Sequence, residues 1–86
     1  FAGCLKLKDI KLINTQNVTN MGNMFSQCTE LTNESLNNIL AMCINATSYT
    51  GTKTLKYLGL TSSQATICQG LSNYQAFIDA GWTTGY

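Results

Sequence analysis

The sequence contains no histidine and no proline. Without histidine the chain lacks the commonest general base near neutral pH and the commonest metal ligand. The lack of proline is unusual for a loop-rich chain. Charge is scarce as well: 10% of residues are charged, with a net charge of +1, where ordinary globular domains carry about 25%. The five basic residues, all lysine, are not clustered with aromatics. That excludes the electrostatic footprint of a protein that binds nucleic acid or an anionic membrane surface. No apolar run approaches the ~20 residues that a membrane span needs. The four cysteines, Cys4, Cys28, Cys43 and Cys68, form no C-x-x-C pair, so the sequence offers no zinc site of the usual spacing. The opening residues Phe1-Ala2-Gly3-Cys4 include neither an initiator methionine nor the basic n-region of a signal peptide. They read as an excised or processed segment.

What the chain has instead is 44% hydrophobic residues over 86 positions, with polarity supplied by Asn, Thr, Ser and Gln. That is one small domain or part of a larger one. Rows of 24 residues align three apolar columns: Phe1, Phe25 and Tyr49; Leu7, Leu31 and Leu55; Leu12, Leu36 and Leu60. Cys4 and Cys28 share a further column with Thr52, and Ile10 and Leu58 share one that Glu34 interrupts. Two rows read L-x-x-[IL]-x-L, at Leu7–Leu12 and Leu55–Leu60. This is the strand half of a leucine-rich repeat. If both are strands, Ile10, Leu12, Leu58 and Leu60 face the core by alternation. The spacing therefore predicts an α/β leucine-rich-repeat solenoid of about 24-residue coils, with short parallel strands and short helices.

Helical signals lie between and after these rows. Val18, Met21 and Met24/Phe25 follow helical spacing after Asn17, a candidate N-cap. Leu36, Ile39, Leu40 and Cys43 follow i, i+3, i+4, i+7 and predict a helix over about residues 35–46, capped by Asn33 or Ser35. Thr61-x-x-Gln64 and Ser72-x-x-Gln75 both fit the capping-box pattern. The first opens a helical segment through Ala65, Ile67 and Cys68 to Gly70. The second runs through Tyr74, Phe77 and Ile78 to Gly81, a good C′ residue, after which Trp82 folds back over the end. Residues 1–60 thus read as repeat coils and 61–86 as a helical C-terminal cap.

The run Asn17-Val18-Thr19-Asn20-Met21 through Met24-Phe25-x-x-Cys28-x-x-Leu31 resembles the bacterial surface leucine-rich repeats of the BspA-like type. Phe1-Ala2-Gly3-Cys4-x-x-Leu7 is similar to the second half of the same signature, and the tail from Thr61 to Tyr86 resembles C-terminal segments of bacterial and phage-related repeat proteins. The resemblance implies an extracellular, cell-surface or virion location and a role in adhesion or host-protein binding. It brings no catalytic residues.

Site chemistry is sparse. Asp9, Glu30, Glu34 and Asp79 are the only carboxylates. Lys8, Lys11 and Lys56 are close enough to neutralise Asp9 and Glu34 as ordinary surface pairs. No nucleophile–base pair, phosphate loop, metal cluster or cofactor motif is present, so the chain reads as no enzyme. The cysteines read as small buried residues, with a Cys43–Cys68 or a Cys4–Cys28 bridge left open. Three N-x-[ST] sequons begin at Asn17, Asn33 and Asn45, and they read as products of Asn-rich turns. Strand alternation places Asp9, Lys11, Asn33, Ser35 and Tyr57 on a concave face, where solenoids usually bind. The expected function is a non-catalytic binding module for a protein or glycan. The alternative is a structural virion or fibre component that self-associates through an open N-terminal edge around Phe1–Leu12.

Overall fold

The computed structural model describes residues 6–11 and 14–86. Phe1, Cys4, Leu5 and Leu12, and with them the Cys4–Cys28 pairing and much of the expected N-terminal edge, lie outside the described residues.

The longest element, α1 (Asn33–Asn45), forms where the 3.6-residue periodicity is cleanest. Its inward stripe of Leu36, Ile39, Leu40, Met42 and Cys43 is buried. The N-cap is Thr32, whose hydroxyl accepts the Ser35 N–H at 3.1 Å. Neither of the expected caps, Asn33 and Ser35, takes that role, because both fall inside the first turn. At the other end the Ala46 N–H closes on the Cys43 carbonyl.

Helix α2 (Ser62–Cys68) opens on the expected capping box. Thr61 Oγ1 accepts the Gln64 N–H, and Gln64 Oε1 accepts the Thr61 N–H. Helix α3 (Tyr74–Asp79) does not use the Ser72–Gln75 box. Its N-terminus is held from outside: Asn37 of α1 accepts the Asn73 N–H through Oδ1 at 3.0 Å and donates to Ser72 Oγ. Asn73 Nδ2 donates in return to the Asn37 carbonyl.

The solenoid reading is corrected here. Among the described residues no strand ladder forms; the β pairing is one isolated parallel bridge, Thr54 with Thr83. The L-x-x-L-x-L row at Leu55–Leu60 is a single helical turn. Thr54 caps it, accepting the Tyr57 N–H on its hydroxyl and the Leu58 N–H on its carbonyl. Gly59, at φ +97°, ends it. The Leu60 N–H bonds back to the Leu55 carbonyl and the Gly59 N–H to the Lys56 carbonyl. Those two bonds define a Schellman motif, with Leu55 and Leu60 as its apolar C3 and C″ pair. An i, i+3 leucine spacing suits a helical turn as well as a repeat strand, and a glycine that can adopt φ > 0 one residue before the last leucine favours the turn.

The expected convex helix is likewise a series of turns from Gly22 to Gln27, with Asn23 and Gln27 in the left-handed region. Two isolated αL residues break a helix that Gly22 already weakens. Asn17 caps nothing there.

One core unites these pieces. Ile10, Phe25 and Leu58 from one side of residue 60, and Ala65, Phe77 and Trp82 from the other, belong to the same buried cluster. Trp82 folds back as expected. Its indole is buried, stacked on Tyr49 at 5.2 Å between ring centroids and tilted against Phe77 at 5.9 Å. Burying each large side chain of this kind contributes about 1.5–3 kcal/mol.

Candidate functional site

Of the five expected contact residues, Asp9, Lys11, Asn33 and Tyr57 are exposed and Ser35 is buried. Asp9 and Lys11 are exposed on either side of buried Ile10, so alternation holds locally along that extended segment. Asn33 is exposed at the start of α1. Ser35 is buried and acts as a joint. Its hydroxyl accepts the Ile10 N–H at 2.8 Å, donates to the Lys8 carbonyl at 2.8 Å, and accepts from Thr32. It pins the Lys8–Ile10 segment to the first turn of α1, and its hydroxyl is fully used within the fold. A buried hydroxyl with all its partners inside the molecule is a structural element, so Ser35 leaves the contact surface.

Tyr57 belongs to a second platform. It sits in the Leu55–Leu60 turn with 42% of its surface exposed. Its ring lies over the bare backbone of Gly22, where an added Cβ would meet ring atoms at 2.9–3.0 Å. The carbonyls at the end of this turn are filled by the neighbouring segment: Asn23 N–H donates to Tyr57 O and Phe25 N–H to Leu58 O, both at 2.8 Å. The C-terminal segment bonds to the other side of the same turn. Leu55 and Lys56 N–H groups donate to the Thr83 and Thr84 carbonyls. Tyr86, 59% exposed, donates its hydroxyl to the Leu60 carbonyl at 2.6 Å. The Lys56 ammonium stands 5.4 Å from the Tyr86 ring centroid, a cation–π contact worth about 0.5–1 kcal/mol at an exposed site. Two tyrosines and a lysine are thus presented on a backbone frame bonded on both sides. The turn chemistry that holds them, Thr54 at the start and Gly59 near the end, was read from the sequence as part of a strand row. The role of Tyr86 was not visible there, because its anchor lies 26 residues away.

A separate recess of about 340 Å³ opens at the C-terminal end of α1. Asn14, Gln16, Ile44, Asn45 and Thr47 line it.

The thiols are sequestered. Cys43 and Cys68 are buried and free, so no bridge joins them. Burial pushes the Cys68 thiol up to about 11. Cys43 is raised further, by burial first and then by the proximity of Cys68. Burial also raises the Tyr49 phenol, with smaller contributions from Tyr57 and Cys43. A thiol held protonated in an apolar setting is a poor nucleophile. Among the described residues no group of three His, Cys, Asp or Glu side chains is placed to hold a metal ion. No helix among the described residues is long and apolar enough to cross a membrane.

No family model, curated protein or solved structure matches the chain.

Proposed function

We propose that the chain is a non-catalytic recognition module that engages a protein or glycan ligand at a cell surface or in the extracellular space. The observation that carries this reading is the rigid display of Tyr57, Lys56 and Tyr86. Exposed tyrosines bring large contact area with few rotatable bonds, and a ring already held in place gives up little entropy on binding. Tyr is also among the residues that dominate binding energy at interfaces. Asp9, Lys11 and Asn33, exposed beside α1, are the remaining expected contacts.

The test is a screen of the immobilised chain against glycan and extracellular-protein arrays, repeated with Tyr57→Ala and Tyr86→Ala. The reading expects a ligand whose retention drops by about 2 kcal/mol or more with Tyr57→Ala, while the melting temperature stays near that of the parent. A ligand retained equally by both variants removes the platform from the account.

A further inference from the structure

Resting on the recognition reading, we infer that the recess at the C-terminal end of α1 is a subsite for one unit of a neutral, hydroxyl-rich ligand, in chemical class a sugar residue. Its volume, about 340 Å³, lies at the small end of the 300–1,000 Å³ range of ligand pockets, a size for a single ring. Four of the five described residues that line it are exposed and neutral polar: Asn14, Gln16, Asn45 and Thr47. A primary amide offers a donor and an acceptor side by side, and a hydroxyl offers both on one atom. That is the complement of neighbouring sugar hydroxyls, which also donate and accept. Half-buried Ile44 supplies an apolar patch for the C–H face of a ring.

The electrostatics select against charged ligands. None of the five lining residues is ionisable. The recess lies where α1 presents its carbonyl end, and the last turn of the helix carries no basic residue. The carbonyls of Met42, Cys43 and Asn45 already accept hydrogen bonds, so the residual partial negative charge there is small, and it acts against phosphates and carboxylates rather than for them. Among the described residues no carboxylate lines it to capture a cation instead. The lining residues are held in place without spending their side chains. Thr15 between Asn14 and Gln16 donates to the Met42 carbonyl, and Thr47 N–H closes on the Asn45 carbonyl. Among bonds to the described residues only Asn14 is partly used, with Oδ1 accepting the Gln16 N–H at 3.0 Å.

The experiment is NMR titration of the ¹⁵N-labelled chain with glucose, galactose, mannose and N-acetylglucosamine, and with glucuronate as an anionic control. At least one neutral sugar is expected to give saturable shifts of the Asn14, Gln16 and Asn45 side-chain amides, with a Kd on the order of millimolar. Gln16→Ala and Asn45→Ala should each weaken that binding about tenfold, the equivalent of one lost hydrogen bond, with the rest of the spectrum unchanged. Glucuronate should bind more weakly. The absence of saturable shifts at these amides, or equal binding of glucuronate, overturns the inference. Shifts confined to Tyr57 and Tyr86 overturn it too, while leaving the recognition reading intact. Shifts at the recess that survive Tyr57→Ala, with no array ligand dependent on Tyr57, keep this inference and remove the platform.

Discussion

Two turns in this molecule have the same design and different surroundings. Leu55–Leu60 and Phe77–Trp82 each end on a left-handed glycine, Gly59 at φ +97° and Gly81 at φ +94°. Each closes with the same pair of bonds: Leu60 N–H to Leu55 O and Gly59 N–H to Lys56 O in one, Trp82 N–H to Phe77 O and Gly81 N–H to Ile78 O in the other. Each brings an apolar C″ residue, Leu60 or Trp82, into the core. They differ in what lies against the glycine. A Cβ on Gly59 would stand 2.6 Å from the Ser26 backbone, whereas one on Gly81 would meet nothing within 4 Å. One glycine serves conformation and contact together, and the other serves conformation alone. The comparison separates the two reasons a chain keeps glycine at a helix end.

The largest effect should come from removing a C″ side chain. Trp82→Ala is expected to cost about 3–5 kcal/mol, read by chemical denaturation, because Tyr49 and Phe77 lose their shared partner. Leu60→Ala should cost less, since it removes a smaller buried volume. Next comes the contrast between the glycines. Gly59→Ala adds about 1–3 kcal/mol of overpacking against fixed backbone to about 1–2 kcal/mol of left-handed strain. Gly81→Ala should show the strain alone, and Gly81→Asn less again, because asparagine tolerates this region. Equal losses for the two alanine variants would break the comparison.

A smaller effect belongs to the α1–α2 seam. The folded state holds the Cys68 thiol's proton up to about pH 11, against an ordinary value of 9.0. Cys43 is shifted in the same direction. Between those values the unfolded chain releases protons that the native chain keeps, so stability declines as pH rises above about 9. Melts from pH 7 to 11 should show this decline, and Cys68→Ala should reduce it. Below pH 9 these thiols contribute no pH dependence, and thiol-specific reagents should not label Cys43 or Cys68 in the native state.

Much of the chain from α1 onward was legible in the sequence. The apolar periodicity located α1 within two residues at its start and one at its end. Thr61 and Gln64 announced α2, and Gly81 with Trp82 announced the closing turn. These signals are local, so neighbouring residues decide them. The solenoid failed where one pattern has two physical solutions. Leucines at i, i+3 and i+5 fit a repeat strand or a Schellman-closed turn, and the 24-residue alignment favoured the first. Gly59 was the discriminating residue, and its clearance from Ser26 cannot be read from local sequence. The polar fasteners were equally hidden. Asn37 holds Ser72 and Asn73, and Gln64 donates to the Cys28 carbonyl at 2.7 Å. Each joins residues more than thirty positions apart, so sequence spacing carries no trace of it. Among the expected contact residues, Asp9, Lys11, Asn33 and Tyr57 are exposed, but Ser35 is consumed by the fold. Strand alternation carried across a row that is a helix put it on the surface.

The most direct test of the account is the backbone NMR of Leu55–Leu60. A Schellman-closed turn predicts sequential amide–amide NOEs from Lys56 to Gly59, helical Cα shifts at Leu55–Leu58 and a positive φ at Gly59. Strong Hα–amide sequential NOEs, extended shifts across the same residues and cross-strand contacts to Leu31–Leu36, the preceding row of the 24-residue alignment, would contradict it and restore the repeat coil.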